Sequence, residues 1–153
     1  MQADFFRSEE RAPHMDRARA IRAAHPEVNA LAGHNPWTAV VMLGVVGMQT
    51  TIAYFLGTLG LGYWWLALII AIFVGAFANH CLYVVIHDAT HNLIFRNRWL
   101  NRIALVIADL PNIVPGAMGF RVNHLQHHSG LSGYETDPDV PAHWEARLVG
   151  DRW

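Results

Sequence analysis

Lysine is missing from the 153 residues: all eleven basic side chains are arginine, and against twelve acidic ones they leave a formal net charge of −1. A chain this close to neutral has no electrostatic footprint for nucleic acid, and the absent lysine reads as coding bias. The single cysteine, Cys81, sits in an apolar run. It excludes an internal disulfide and is expected to be a small core residue. Charge is scarce as well, 15% of residues against 53% apolar, a poor mixture for a soluble domain. No signal peptide is expected, because the N-terminal segment is polar and lacks an apolar centre.

What the chain does have is long uncharged runs. Residues 1–36 are polar and mixed in charge, with Met15–Ala24 predicted helical and His25-Pro26 and Asn35-Pro36 predicted to break the chain. Thr38–Leu56 is almost wholly apolar and would reach roughly 28 Å as a helix, close to the hydrocarbon thickness of a bilayer. After a link over Gly57–Tyr63, Trp64–Ile86 is long enough to span again. Gly44 and Gly47 are candidates for close helix packing, or are simply tolerated. Trp37, Trp64, Trp65 and Trp99 fall near the predicted helix ends, where aromatic belts form. Arginines flank the pair on both outer sides and are missing from the link. The positive-inside rule therefore predicts a hairpin over residues 37–86 that enters from the cytoplasm. Within it, Asn79 and His80 are a polar pair at the end of the second run. His80 reads better as a satisfied packing residue than as a group behind a metal ligand.

Two packets of histidine follow. The first is His87-Asp88-Ala89-Thr90-His91, the second His124-Leu125-Gln126-His127-His128. Residues three or four apart share a helix face, so each packet can present its imidazoles together. Neutral imidazole is a common ligand for iron and zinc. The first packet resembles the zinc-protease pattern, but Asp88 stands where that chemistry needs a glutamate, which argues against a protease. The Glu-x-x-His motif of soluble di-iron bundles does not occur. Between the packets, Ile103–Phe120 is apolar but contains Asp109, Pro111 and Pro115. If the packets share a metal, this segment must lie in the interface or re-enter without crossing. The tail from Ser129 is polar, and Asp137-Pro138-Asp139 is predicted to turn.

These residues resemble the membrane fatty acid desaturase/hydroxylase superfamily, and within it the sphingolipid (dihydroceramide) Δ4-desaturase family. The resemblance runs through Phe5-Phe6, Pro13-His14, His25-Pro26-Glu27-Val28, Asn79-His80, the first packet with Asn92 behind it, Asn97-Arg98, Leu110-Pro111, the second packet and Asp137-Pro138-Asp139-Val140-Pro141. It implies an all-α integral membrane protein. A cytoplasmic N-terminal segment (1–36) would precede a transmembrane helix hairpin (37–86) and cytoplasmic or interfacial helices carrying histidine boxes (87–153).

The resemblance also implies an oxidoreductase in which His87, His91, His124, His127 and His128 are metal ligands to two irons. O₂ would be used to introduce a double bond into a sphingoid or acyl chain, on a ceramide-like or acyl-lipid substrate. Electrons would come from cytochrome b5 or a ferredoxin-like donor. The family also carries a third box, His-x-x-His-His, which this sequence does not contain; His143 stands alone. The chain is thus expected to correspond to the N-terminal half, a truncated or fragmentary form. The alternatives are a sphingolipid C4-hydroxylase, another fatty acid desaturase, or a non-catalytic membrane metal-binding fragment.

Overall fold

The computed structural model describes residues 13–131, 133 and 136–149. Phe5-Phe6 and the terminal Asp151-Arg152-Trp153 lie outside the described residues. Every regular element among the described residues is helical. The chain divides into two compact units, residues 33–121 and residues 1–32 together with 122–153.

In the unit of residues 1–32 and 122–153, helix α1 spans His14–Ala24 and stops at His25, one residue before Pro26, as predicted. A 3-10 turn, Pro26–Leu31, follows. Neither buries a residue, and α1 carries the surface pair Arg19–Asp16 at 2.9 Å. The same unit also holds a short helix, His143–Val149.

The unit of residues 33–121 holds the two long apolar helices. Helix α2, Trp37–Leu59, begins directly behind Pro36, and α3 runs Leu61–Thr90; both are long and apolar enough to cross a membrane. Only Gly60 separates them, in the left-handed region at φ 80° that glycine occupies without strain. The link is therefore shorter than the predicted Gly57–Tyr63. Large apolar side chains point outward from both helices, among them Phe55, Phe73 and Phe77, as expected where the surroundings are lipid. A side chain at Gly44 or Gly47 would meet nothing within 4 Å among the described residues.

Helix α3 is not uniform. Residues Ala71–Gly75 form a π-helical turn, a widening that interrupts the regular ladder. Gln49 of α2 lies opposite and donates through Nε2 to Asn79 Oδ1 at 2.8 Å, with the Gly75 carbonyl 3.5 Å away. So Asn79, rather than His80, is the polar link between the helices, and His80 is exposed. An apolar cleft of about 430 Å³ runs beside this link, with Gln49, Thr50 and Asn79 as its polar side chains and Ala53, Ile70 and Ala71 among its walls.

The core sits at the far end of α3. Ala78, Leu82, Val85, Ile86 and Ala89 recur at helical spacing along one buried stripe. Against it packs α4, Arg98–Asp109, through Asn101, Ala104, Leu105 and Ala108, spaced three and four apart. Helix α4 is strongly two-faced: Ile103 and Val106 on its other side are exposed. Its 12 residues reach about 18 Å, short of the roughly 30 Å of a hydrocarbon core. The apolar stretch Ile103–Phe120 is therefore not one crossing helix. It breaks at Leu110–Gly116, the region of Pro111 and Pro115, before α5, Ala117–Gly130. Asp109 is the hinge of that break: its Oδ2 accepts the Ala117 N–H at 3.0 Å and its Oδ1 the Asn112 amide at 2.9 Å. A carboxylate at the first N–H groups of a helix is favoured by capping and by the dipole together.

Candidate metal centre

The first histidine packet lies on the last turns of α3. The apolar run ends at Ile86, but the helix continues to Thr90, because its end is set by backbone geometry and not by polarity. Asn92 adopts φ 59°, the Asn92 N–H reaches the Ala89 carbonyl at 3.1 Å, and the Leu93 N–H reaches the Asp88 carbonyl at 2.9 Å. This paired closure around a left-handed residue is a Schellman end, and asparagine is the side-chain-bearing residue that tolerates it best. His87 therefore stays on a regular turn, with His91 as the cap one turn on. Their rings stand edge to face with centroids 4.8 Å apart.

Two residues of α5 dock on this end. Phe120 packs against Tyr83 at 5.0 Å and lies 6.4 Å from the His87 ring. The Arg121 guanidinium donates to the Thr90 carbonyl, placing a cation on the negative end of α3. The loop beyond His91 is fastened from α4. Asn101, fully buried, accepts the Ile94 and Phe95 N–H groups at 3.2 and 3.1 Å and donates to the Phe95 and Asn97 carbonyls at 2.6 and 2.9 Å. Every hydrogen-bonding capacity of that amide is used. Nothing in the sequence singles Asn101 out, since the atoms it serves belong to a loop without a pattern of its own.

The second packet lies on α5. His124 and His128, four apart, bring their Nε2 atoms to 3.1 Å with ring centroids 4.6 Å apart. His127 is 6.1 Å from His124 between centroids, and its Nδ1 is engaged by Asp137 Oδ1 at 2.8 Å and lies 3.3 Å from Asp139 Oδ2. Its imidazole pKa is raised by the Asp137 hydrogen bond. Partial burial opposes that rise, and the charges of Asp137 and then Asp139 add to it. The predicted turn at Asp137-Pro138-Asp139 is present, closed by the Asp139 N–H on Asp137 Oδ1 at 2.9 Å. The side chain of His143 lies outside the described residues.

The donor set fits iron. Two nitrogens at about 2.1 Å from one ion and at right angles would be about 3.0 Å apart, and the His124 and His128 Nε2 atoms are 3.1 Å apart. The His124 and His128 donors are imidazoles, which suit iron, and His127 stands with the Asp137 and Asp139 carboxylates.

Two helices long and apolar enough to cross a membrane, in a chain whose described elements are all helical, are consistent with a helical membrane protein. The chain belongs to the fatty acid desaturase family. The family model described as fatty acid desaturase matches residues 63–150. The model described as sphingolipid Δ4-desaturase matches residues 1–37. Among curated relatives, the sphingolipid delta(4)-desaturase of Schizosaccharomyces pombe is 42% identical over 82% of this chain and 35% of its own length. That of Candida albicans is 36% identical over 95% of this chain and 39% of its own. The Bos taurus sphingolipid delta(4)-desaturase/C4-monooxygenase DES2 is 34% identical over 89% of this chain and 42% of its own. The chain thus spans about two fifths of the length of the curated relatives it matches. No solved structure matches it significantly.

Proposed function

We propose that these residues supply two of the histidine boxes of a membrane di-iron lipid desaturase of the sphingolipid Δ4 type. His87, His91, His124, His127 and His128 would be the ligands contributed by this chain to two irons. A third box, which the family carries, would complete the set. The observation that carries the reading is the meeting of two imidazole Nε2 atoms at 3.1 Å on α5, in a chain matched by the desaturase family over most of its second half.

Bound iron would supply the O₂-dependent oxidising power that removing hydrogen from an unactivated methylene demands and that side chains lack. The chain's own residues do the rest. The Schellman end of α3 fixes His87 and His91. The Asp109 cap and the Arg121 bond fix the start of α5. The exposed apolar faces of α2 and α3 keep the site at the bilayer, where an alkyl chain can enter from the lipid, and the apolar cleft beside Gln49 suits such a chain. With arginines flanking the helix pair and missing between, the boxes would face the cytoplasm. Electrons would arrive from cytochrome b5 or a ferredoxin-like donor.

The test is iron content of the purified chain, followed by O₂ consumption and lipid mass spectrometry with a ceramide in the full-length protein. Loss of two hydrogens is expected. Iron bound with no lipid oxidised by the full-length protein would favour a metal-binding protein instead. A gain of oxygen would identify a C4-hydroxylase, the second reading, which the printed name of the Bos taurus relative favours. Single cysteines at positions 98 and 123, labelled from either side of the membrane, test the shared site: opposite accessibility would defeat it.

A further inference from the structure

We propose that Asp137 is a positioning residue for the second histidine box, fixing the His127 imidazole as the Nδ1–H form so that Nε2 carries the lone pair offered to a metal. The inference rests on the reading of His127 as a ligand and adds to it a residue outside the boxes. A neutral imidazole has one N–H and one lone pair, and the partner of one nitrogen decides which is which. Here Nδ1 lies 2.8 Å from a carboxylate oxygen, and a carboxylate can only accept. The proton therefore belongs on Nδ1. His127 then offers Nε2, the same nitrogen through which His124 and His128 meet. A carboxylate behind a ligand imidazole both orients the ring and makes it a stronger donor.

The arrangement is built into the fold. The Asp137 side chain is 3% exposed, so its charge needs the partners it has. Its loop is clipped to α5 at two points: Gln126 donates to the Thr136 carbonyl at 3.2 Å, and the Thr136 hydroxyl donates to the Gly130 carbonyl at 3.3 Å. Within the loop the Asp137 N–H donates to the Gly133 carbonyl at 2.8 Å. At Gly130 a Cβ would fall 2.7 Å from Thr136 Oγ1, so only glycine lets the loop fold back this closely. Asp139 is a weaker candidate, because it is farther from Nδ1, at 3.3 Å, and its side chain is 61% exposed, where solvent screens it.

The experiment has two readouts on the purified chain in detergent micelles: ¹⁵N chemical shifts of labelled histidine without metal, and the affinity and visible absorption of bound Co²⁺. The wild type is expected to show His127 as the Nδ1–H tautomer. Asp137→Asn keeps the oxygen that meets both the Asp139 N–H and His127 Nδ1 and removes the charge, so it spares the turn. It should lower Co²⁺ affinity by about 10–100-fold and move the absorption band. Asp137→Glu should recover part of the loss, and Asp139→Asn should stay near wild type. An Nε2–H tautomer in the wild type, or Asp137→Asn with unaltered affinity and spectrum, would overturn the inference. His127→Gln tests the underlying reading separately. If it leaves Co²⁺ binding untouched while the tautomer is Nδ1–H, His127 is not a ligand and the functional reading fails, although the tautomer assignment holds.

Discussion

Replacing Asn101 by alanine should cost about 4–6 kcal/mol of stability, a large loss for one side chain. The amide is completely buried and serves four backbone groups of the loop that follows His91. The Ile94 N–H, in a residue 1% exposed, would be stranded away from water, at about 1–3 kcal/mol. Phe95 N–H, Phe95 carbonyl and Asn97 carbonyl are less buried or keep a second partner, and would lose nearer 1 kcal/mol each. Asn101→Leu separates hydrogen bonding from packing: it restores volume and no polar partner, so it should be no better than alanine. Asn101→Asp keeps the two acceptor contacts but sets a carboxylate against two carbonyls, and should be at least as damaging. Reversible denaturant unfolding in mixed micelles measures the loss, and hydrogen exchange at the Ile94 and Phe95 amides should quicken in step with it. A leucine variant within about 1 kcal/mol of wild type would refute the reasoning, since the site would then need only to be filled.

A double-mutant cycle on Gln49→Ala and Asn79→Ala should give a coupling of about 0.6–1.7 kcal/mol, the range for side-chain bonds between membrane helices; zero coupling would mean the 2.8 Å contact contributes nothing. Thr90 is fully buried and its Oγ1 has no hydrogen-bond partner among the described residues, so Thr90→Val should raise stability by about 1 kcal/mol in thermal unfolding, and a loss would reveal a hidden partner for the hydroxyl. Asn92→Gly should be nearly neutral and Asn92→Ala should cost about 1 kcal/mol, because only the latter adds strain at φ 59°. In the metal-free chain His127 should titrate above its ordinary 6.5. The stability it lends is then complete below that value and fades as pH rises through the raised one; Asp137→Asn should remove this dependence in melting temperatures taken across the range.

The two long helices were legible because an uncharged run of this length needs no partner to declare itself. The break before α5 was legible too, since Pro111 and Pro115 forbid a continuous ladder through them. The end of α3 was not. Polarity changes at Ile86, but the helix is closed by Asn92 five residues beyond the first polar side chain, and that closure depends on one dihedral angle. Gln49 and Asn101 escaped for a related reason. Neither stands in a pattern, and its meaning lies in the atoms it meets: Asn79 thirty residues on for one, a patternless loop for the other. The turn at Asp137 was expected, but its destination was not, because only the fold-back at Gly130 brings it to His127.

These omissions share a physical logic. Both histidine packets were visible as ligand types at helical spacing, and in both cases what fixes the rings in place was invisible. Imidazole has two nitrogens and a free χ2, so spacing alone never decides which atom is offered or in what direction. In the first packet direction comes from the backbone: the Schellman end holds His91, Asn101 locks the loop behind it, and Arg121 ties α5 to the same carbonyl end. In the second it comes from a side chain, the Asp137 carboxylate. The two should therefore fail differently. Loosening the loop at Asn101 should disturb His91 together with stability, whereas neutralising Asp137 should weaken His127 as a metal donor while the helices stand.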